Sequence, residues 1–193
     1  MVVYVIDFLN VFSDYRELKY KIMGVDFHKV KYTTLQEDTV EFFNFFFTKY
    51  TTRQKLCISS SFIFVMKKLV NYDVVLRGIL EDLKHIDIKF VVVTNRYKNK
   101  VIDDNKDDFM CQYFLSMYGS SSYLISNDLY RNKGEYLNMF LHLERIETEI
   151  MTSKHVNNTI FLIDQQVIKN IANLSTTNCS LSKKKLLQVI RIH

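Results

Sequence analysis

Four aspartates carry the chemistry this sequence can offer. Asp7 closes the strand-like run Val2-Val3-Tyr4-Val5-Ile6, and Asn10 follows three residues on. Asp107-Asp108 opens a segment of helical apolar spacing, and Ser126-Asn127-Asp128 ends a second strand-like run, Tyr123-Leu124-Ile125. Each acid has a plain role when taken singly: an Asp after a strand caps the next helix, and paired Asp in a first helical turn complement its macrodipole. As a set they would repel one another unless a cation neutralised them, so the joint pattern predicts a metal site. Hard oxygen ligands with no His or thiolate close in sequence select Mg²⁺ or Mn²⁺, one ion or two, and no zinc. Such an ion makes a water more acidic and stabilises charge on phosphate oxygens, which is the chemistry of phosphodiester hydrolysis.

Composition is consistent with a polyanionic substrate. The 193 residues carry a net charge of +5, and 48% of them are hydrophobic, enough for one substantial core. Cys57, Cys111 and Cys179 are odd in number and widely spread, which argues against a disulfide framework or a structural zinc and for a reducing compartment. No apolar stretch is long enough to span a bilayer, and the first strand-like run lacks the flank of a signal peptide, so the expected location is intracellular, in the cytoplasm. Proline and tryptophan are absent while Ile, Lys, Asn, Tyr and Phe abound, a bias of A/T-rich genomes. A large DNA virus or an intracellular parasite is a reasonable source, and a viral protein would sit in host cytoplasm or virion.

The elements that must position the acids alternate between strand-length apolar runs and longer helical spacings, the pattern of βαβ units. Strands are expected near Val2 to Ile6, Lys55 to Ser59, Ile88 to Thr94, Tyr123 to Ser126 and Thr159 to Ile163. Helices are expected over Glu37 to Lys49, Val74 to His85, Asp107 to Tyr118 and Glu135 to Met151. Phe109, Tyr113, Phe114 and Met117 form one face of the third helix, and Gly119 suits its C-terminal cap. Ser13 to Gln36 has no clean period and reads as an irregular loop or a frayed helix. These elements make an α/β fold with a central, mainly parallel five-stranded sheet and helices on both faces. Residues 1–165 form the domain and 166–193 a C-terminal extension, whose Lys183-Lys184-Lys185 reads as a solvated face or tail, with a nucleic-acid contact as its alternative. The apolar residues between Phe42 and Phe47 serve the core for the most part, with an interface as their other use.

In an open parallel sheet, ligands collect outside the carboxyl ends of the strands. Asp7 and Asp128 occupy such ends, and the start of the Asp107 helix can lie on the same rim. Asn10 would orient a carboxylate or water there, or touch phosphate, with helix capping as its alternative. Arg131 could meet a phosphate in bidentate fashion or pair with an acid. Arg96, Lys98 and Lys100 would form a phosphate track in the loop before that helix, where Tyr97 could stack on an unpaired base. An exposed polar loop without a partner is the other reading of that segment.

At these residues the chain resembles the NYN branch of the PIN-like nucleases, and most closely the catalytic domain of Regnase-type ribonucleases, which in animals carry a CCCH zinc finger. The likeness spans roughly residues 1–165. It rests on Val5-Ile6-Asp7-Phe8-Leu9-Asn10-Val11, on Ile88 to Thr94 leading by a basic loop to Asp107-Asp108-Phe109, and on Ser126-Asn127-Asp128-Leu129-Tyr130-Arg131. The resemblance implies a single PIN-like domain in which Asp7, Asp107, Asp108 and Asp128 bind catalytic Mg²⁺ or Mn²⁺. It further implies endonucleolytic cleavage of single-stranded or stem-loop RNA, and it makes a homodimer a reasonable expectation. Two positions depart from the pattern: Phe8 stands where the family has Gly, and Asn132 where an Asp usually follows the Arg. No zinc finger is present.

Two other classes share this sequence pattern. One is a noncatalytic RNA-binding or assembly module on the same fold, although binding alone gains nothing from carboxylates aimed at phosphate. The other is a DNA-directed nuclease, since the choice of sugar depends on contacts the sequence does not expose. A phosphotransferase of the haloacid dehalogenase type would need a second Asp two residues after Asp7, where Leu9 stands.

Overall fold

The computed structural model describes residues 1–30, 34–53, 60–67, 73–128, 145–162, 164 and 186–188. The first strand, β1 (Val3–Asp7), runs directly into α1 (Phe8–Ile22). Phe8, Val11, Phe12 and Tyr15 recur at helical spacing and are buried, so α1 presents one apolar stripe to the sheet. The first part of the segment read as loop or frayed helix, Ser13 to Ile22, is therefore regular helix. It stops at Gly24, whose φ of 70° allows Gly24 N–H to reach Lys21 O and Val25 N–H to reach Tyr20 O, a Schellman ending.

A short α2 (Phe27–Val30) precedes α3 (Leu35–Phe45), which continues into a π-helical turn, Phe46–Tyr50, and α4 (Thr51–Arg53). Then come β2 (Ser61–Lys67), α5 (Asp73–Asp82) and β3 (Asp87–Val93). The long α6 (Lys100–Tyr118) is followed by a 3₁₀ turn, β4 (Ser122–Ile125), β5 (Arg145–Met151) and β6 (Val156–Leu162). Gly119 caps α6 at a φ of 57°, as its position in the sequence predicts.

The strands form one six-stranded mixed sheet in the order β4-β1-β2-β3-β5-β6. β4, β1, β2 and β3 are parallel, whereas β5 runs antiparallel to both β3 and β6. The sheet thus has one strand more than the sequence suggests, and its far edge is a hairpin. The strand expected at Lys55 to Ser59 lies outside the described residues, and the second strand is found at Ser61–Lys67. The helix expected over Glu135 to Met151 is corrected over its last seven residues, which form β5; residues 135–144 lie outside the described set. Arg-Ile-Glu-Thr-Glu-Ile-Met alternates, with Ile146 and Thr148 buried between exposed or half-buried neighbours, and that period of two belongs to a strand.

Helices cover both faces. On one side α1, α3 and α5 enclose a phenylalanine-rich core in which Phe43 meets Phe64 at 4.9 Å and Phe90 at 5.3 Å between ring centroids. Phe42, Phe43, Phe45 and Phe46 are all buried there, so this run serves the core. On the other side α6 packs Ile102, Phe109, Met110, Phe114 and Leu115 onto Val3, Val5, Ile63, Val65, Val91 and Val93. Strand alternation makes this second face the important one. Val5, Val65 and Leu124 point at α6, so Asp7, Lys67 and Ser126, each two residues further along, project from the strand ends toward the same helix.

Candidate active site

Asp7 ends β1 at the N-cap position of α1, yet its carboxylate makes no cap hydrogen bond to the helix. It is 3% exposed and instead accepts from Ser126 Oγ at 3.0 Å, just past the end of β4. Ser126 Oγ also lies 3.2 Å from Asn10 Oδ1 and accepts the Asp128 backbone N–H at 3.0 Å. Asn127 N–H donates to Asn10 Oδ1 at 2.8 Å, and Asn127 Nδ2 donates to Asp14 Oδ2. Asn10 thus uses its side chain to tie α1 to the chain leaving β4.

Asp107 and Asp108 do not start their helix. Asn99 caps α6, accepting from Val101 N–H at 3.0 Å and Ile102 N–H at 3.3 Å, which leaves the two acids about two turns inside. Their distance from the helix start removes the macrodipole explanation. They sit where α6 crosses the ends of β1 and β2. Asp107 is 5% exposed and forms an ion pair with Lys67 Nζ at 3.3 Å, while Lys67 also donates to the Asp104 carbonyl. The Lys67 ammonium approaches Oδ1 of that buried carboxylate.

Electrostatics binds the four acids into one group. Withdrawal from solvent, then repulsion from Asp7, Asp107 and Asp128, pushes the half-buried Asp108 carboxyl up to about 9, with Lys67 opposing. Burial likewise raises Asp107 against the pull of Lys67. Asp7 from β1, Asp107 beside it on α6 and Asp128 beyond β4 thus each lie within electrostatic reach of Asp108, near the carboxyl ends of the parallel strands. Their donor set is hard oxygen, the kind Mg²⁺ or Mn²⁺ takes, with Asp107 Oδ1 already met by the Lys67 ammonium, so the residues fit such an ion in kind. Among the described residues, no three His, Cys, Asp or Glu side chains are gathered closely enough to hold a metal ion as they stand.

The basic segment divides. Arg96 and Lys98 are exposed between β3 and α6, and Lys100 is exposed on the first turn of α6 rather than in the loop. Tyr97 is half-buried: its ring packs against the α6-side core, and its hydroxyl donates to Arg145 O at 2.9 Å and meets Asn95 Nδ2. Asp103 accepts Tyr97 N–H at 3.0 Å and pairs with Lys106 at 2.7 Å; the Lys106 hydrogen bond, then the Tyr97 one, hold its carboxyl below the usual range. These contacts fix the loop and leave the cations outward, but Tyr97 is anchored rather than presented as an open stacking surface. Arg131 lies outside the described residues, as do Leu129 and Tyr130 of the same motif.

Sequence reasoning missed Lys67, Asp14 and the linking roles of Ser126 and Asn127. Asp14 stands seven residues after Asp7 and four after Asn10, a spacing that puts all three on one side of α1. That signal was readable. Lys67 was hidden because the second strand was expected at Lys55 to Ser59, and only the strand ending at Lys67 places this cation at the rim. Phe8, where the resembled family has Gly, is fully buried and stacks on Phe12 at 5.1 Å, so its ring belongs to the opposite core.

Comparison with known protein families, with curated proteins and with solved structures returns no match to this chain. Among the described residues no helix is long and apolar enough to cross a membrane.

Proposed function

We propose that this chain is a metal-dependent endoribonuclease with a PIN-like domain of the NYN type, similar to the Regnase-type catalytic domain. One observation carries the reading: Asp7 and Asp128, distant in sequence from α6, act on Asp108 together with Asp107 near the ends of the parallel strands. Asp7, Asp107, Asp108 and Asp128 would hold Mg²⁺ or Mn²⁺. Bound there, the cation supplies a more acidic water and neutralises charge on the phosphate.

The chain's own residues do the rest. Ser126 and Asn10 fix Asp7 and the backbone before Asp128, so that the acids are held in place by hydrogen bonds rather than gathered by substrate. Burial, and then the neighbouring acids, push the Asp108 carboxyl up to about 9, and it would give up its proton if positive charge entered the cluster. Arg96, Lys98 and Lys100 would receive RNA backbone phosphates, single-stranded or in a stem-loop, and contacts of that kind set register without reading base sequence.

A second reading has its own observation. Lys67 already supplies Asp107 with a positive charge from within the chain, as suits a noncatalytic RNA-binding module on this fold. The deciding experiment incubates labelled single-stranded RNA, with a matched DNA oligonucleotide beside it, with Mg²⁺ or Mn²⁺ and the wild-type, Asp7→Asn or Asp128→Asn protein. Cation-dependent cleavage of RNA lost in both variants supports the nuclease. Binding without cleavage would replace it with the second reading, preferential cutting of DNA would change the substrate, and equal cleavage by the variants would expose a contaminant.

A further inference from the structure

Among the described residues β6 is the last strand of the sheet, and it lacks the devices that usually keep an edge from pairing. Its residues, Val-Asn-Asn-Thr-Ile-Phe-Leu, include no charge, no proline and no glycine. The opposite edge, β4, is only four residues long.

Hydrogen bonds nearby settle which way the backbone of β6 points. Thr94 N–H donates to Glu147 O at 2.9 Å, so Glu147 turns its backbone toward β3, and Thr152 N–H donates to His155 O at 3.0 Å in the β5–β6 turn. Alternation along an antiparallel ladder then aims the amides and carbonyls of Asn157, Thr159 and Phe161 at β5. Those of Val156, Asn158, Ile160 and Leu162 face the open side. The same four side chains occupy the sheet face away from α6, because Phe161 packs on Tyr113 at 5.0 Å and Phe114 at 5.9 Å. Val156 is 36%, Ile160 53% and Leu162 72% exposed, so, among the described residues, outward hydrogen-bonding groups and exposed apolar side chains coincide.

We propose that β6 pairs antiparallel with β6 of a second copy about a two-fold axis at Thr159, joining two six-stranded sheets into one. That register overlaps the whole strand. It sets Val156 opposite the partner's Leu162 and Asn158 opposite the partner's Ile160, at positions that exchange both backbone hydrogen bonds. Thr159 meets its own copy in the closely spaced, non-hydrogen-bonded position. A two-fold contact closes on itself and so ends at the dimer. In a chain of net charge +5, an uncharged strand is also where two copies can meet without repulsion. The axis reverses strand direction, so the two acidic edges face opposite ends of the joined sheet and neither site borrows residues from the other.

Sedimentation equilibrium on the full chain tests this, with Ile160→Lys and Asn158→Pro as the disrupting variants and circular dichroism melting as the check on folding. Asn158→Pro removes an outward N–H and no bond to β5. The wild type should dimerise, and each variant should raise the dissociation constant about tenfold or more while melting as the wild type does. Thr159→Cys should give a reductant-sensitive dimer under mild oxidation where the wild type does not, since the closely spaced pair suits a disulfide. A wild type that stays monomeric would overturn the proposal, as would a dimer indifferent to both variants. Should either variant unfold, the cysteine cross-link decides alone: its failure would remove this register.

Discussion

Replacing Asp108 by Asn tests the acidic cluster without any assumption about RNA. An unfolded chain releases this proton near pH 3.9 while the fold holds it to about 9, so at about pH 7.5 folding costs at most about 5 kcal/mol, at about 1.36 kcal/mol per pH unit. Asp108 is half-buried, and solvent screening reduces the realised cost to about 1–2 kcal/mol. The sign follows from proton counting. Between about pH 4 and about pH 9 the folded state holds a proton that the unfolded state has lost, so stability declines as pH rises through that window. The amide put in place of the carboxyl cannot ionise, and the variant escapes the decline. In urea unfolding with a chelator present, Asp108→Asn should therefore be more stable than the wild type by about 1–2 kcal/mol at about pH 7.5 and equal to it near pH 4. Mg²⁺ should then stabilise the wild type and have less effect on the variant, because binding to the folded state alone adds stability. A variant destabilised by the same amount at both pH values would refute the reasoning, since Asp108 would then be an ordinary structural carboxylate.

Ala at Arg96, Lys98 and Lys100 together should weaken RNA binding at low salt and flatten its salt dependence by about three counterions, read by fluorescence anisotropy across a salt series; unchanged affinity would remove the segment from the interface. Asp38 is buried and accepts from Arg16 at 2.6 Å, Lys19 at 2.8 Å, Thr34 at 2.8 Å and Tyr20 at 2.9 Å. Burial opposes its ionisation, but the hydrogen bonds from Lys19, Arg16, Thr34 and Tyr20 prevail and hold the carboxyl below its usual range, so this stability is present above about pH 3.9 and is lost as pH falls through the lower folded value. Asp38→Ala strands the buried Arg16 and should cost about 3–5 kcal/mol in denaturant unfolding at neutral pH. Phe43→Ala opens a void between Phe64 and Phe90 and should cost about 3–5 kcal/mol, measured in the same way.

Much of the fold was legible where the pattern is local. Val3–Asp7 and Asp87–Val93 are runs rich in β-branched residues, and Gly119 marks the end of α6 because it takes a φ that other residues avoid. The less legible parts depend on distant partners. Arg145–Met151 carries alternation that can be read only once β3 and β6 lie beside it, and as isolated sequence its Glu-rich composition suits a helix equally well. The same division separates the acids from their setting. Asp7 and Asp128 were found from the strand-like runs before them, whereas Asp107 and Asp108 were assigned to a helix start that in fact lies at Asn99.

The residue order by itself determined which side chains could supply oxygen ligands, that an α/β sheet would bring strand ends together, and that one substantial core was available. Tertiary structure alone decided that Lys67 meets Asp107, that Ser126 joins Asp7 to Asn10, and that Phe8 turns away into the other core. The physical reason is that alternation assigns a residue to one of two faces but leaves the identity of each face open. Only the packing of α6 across the ends of β1 and β2 makes one of those faces the acidic one.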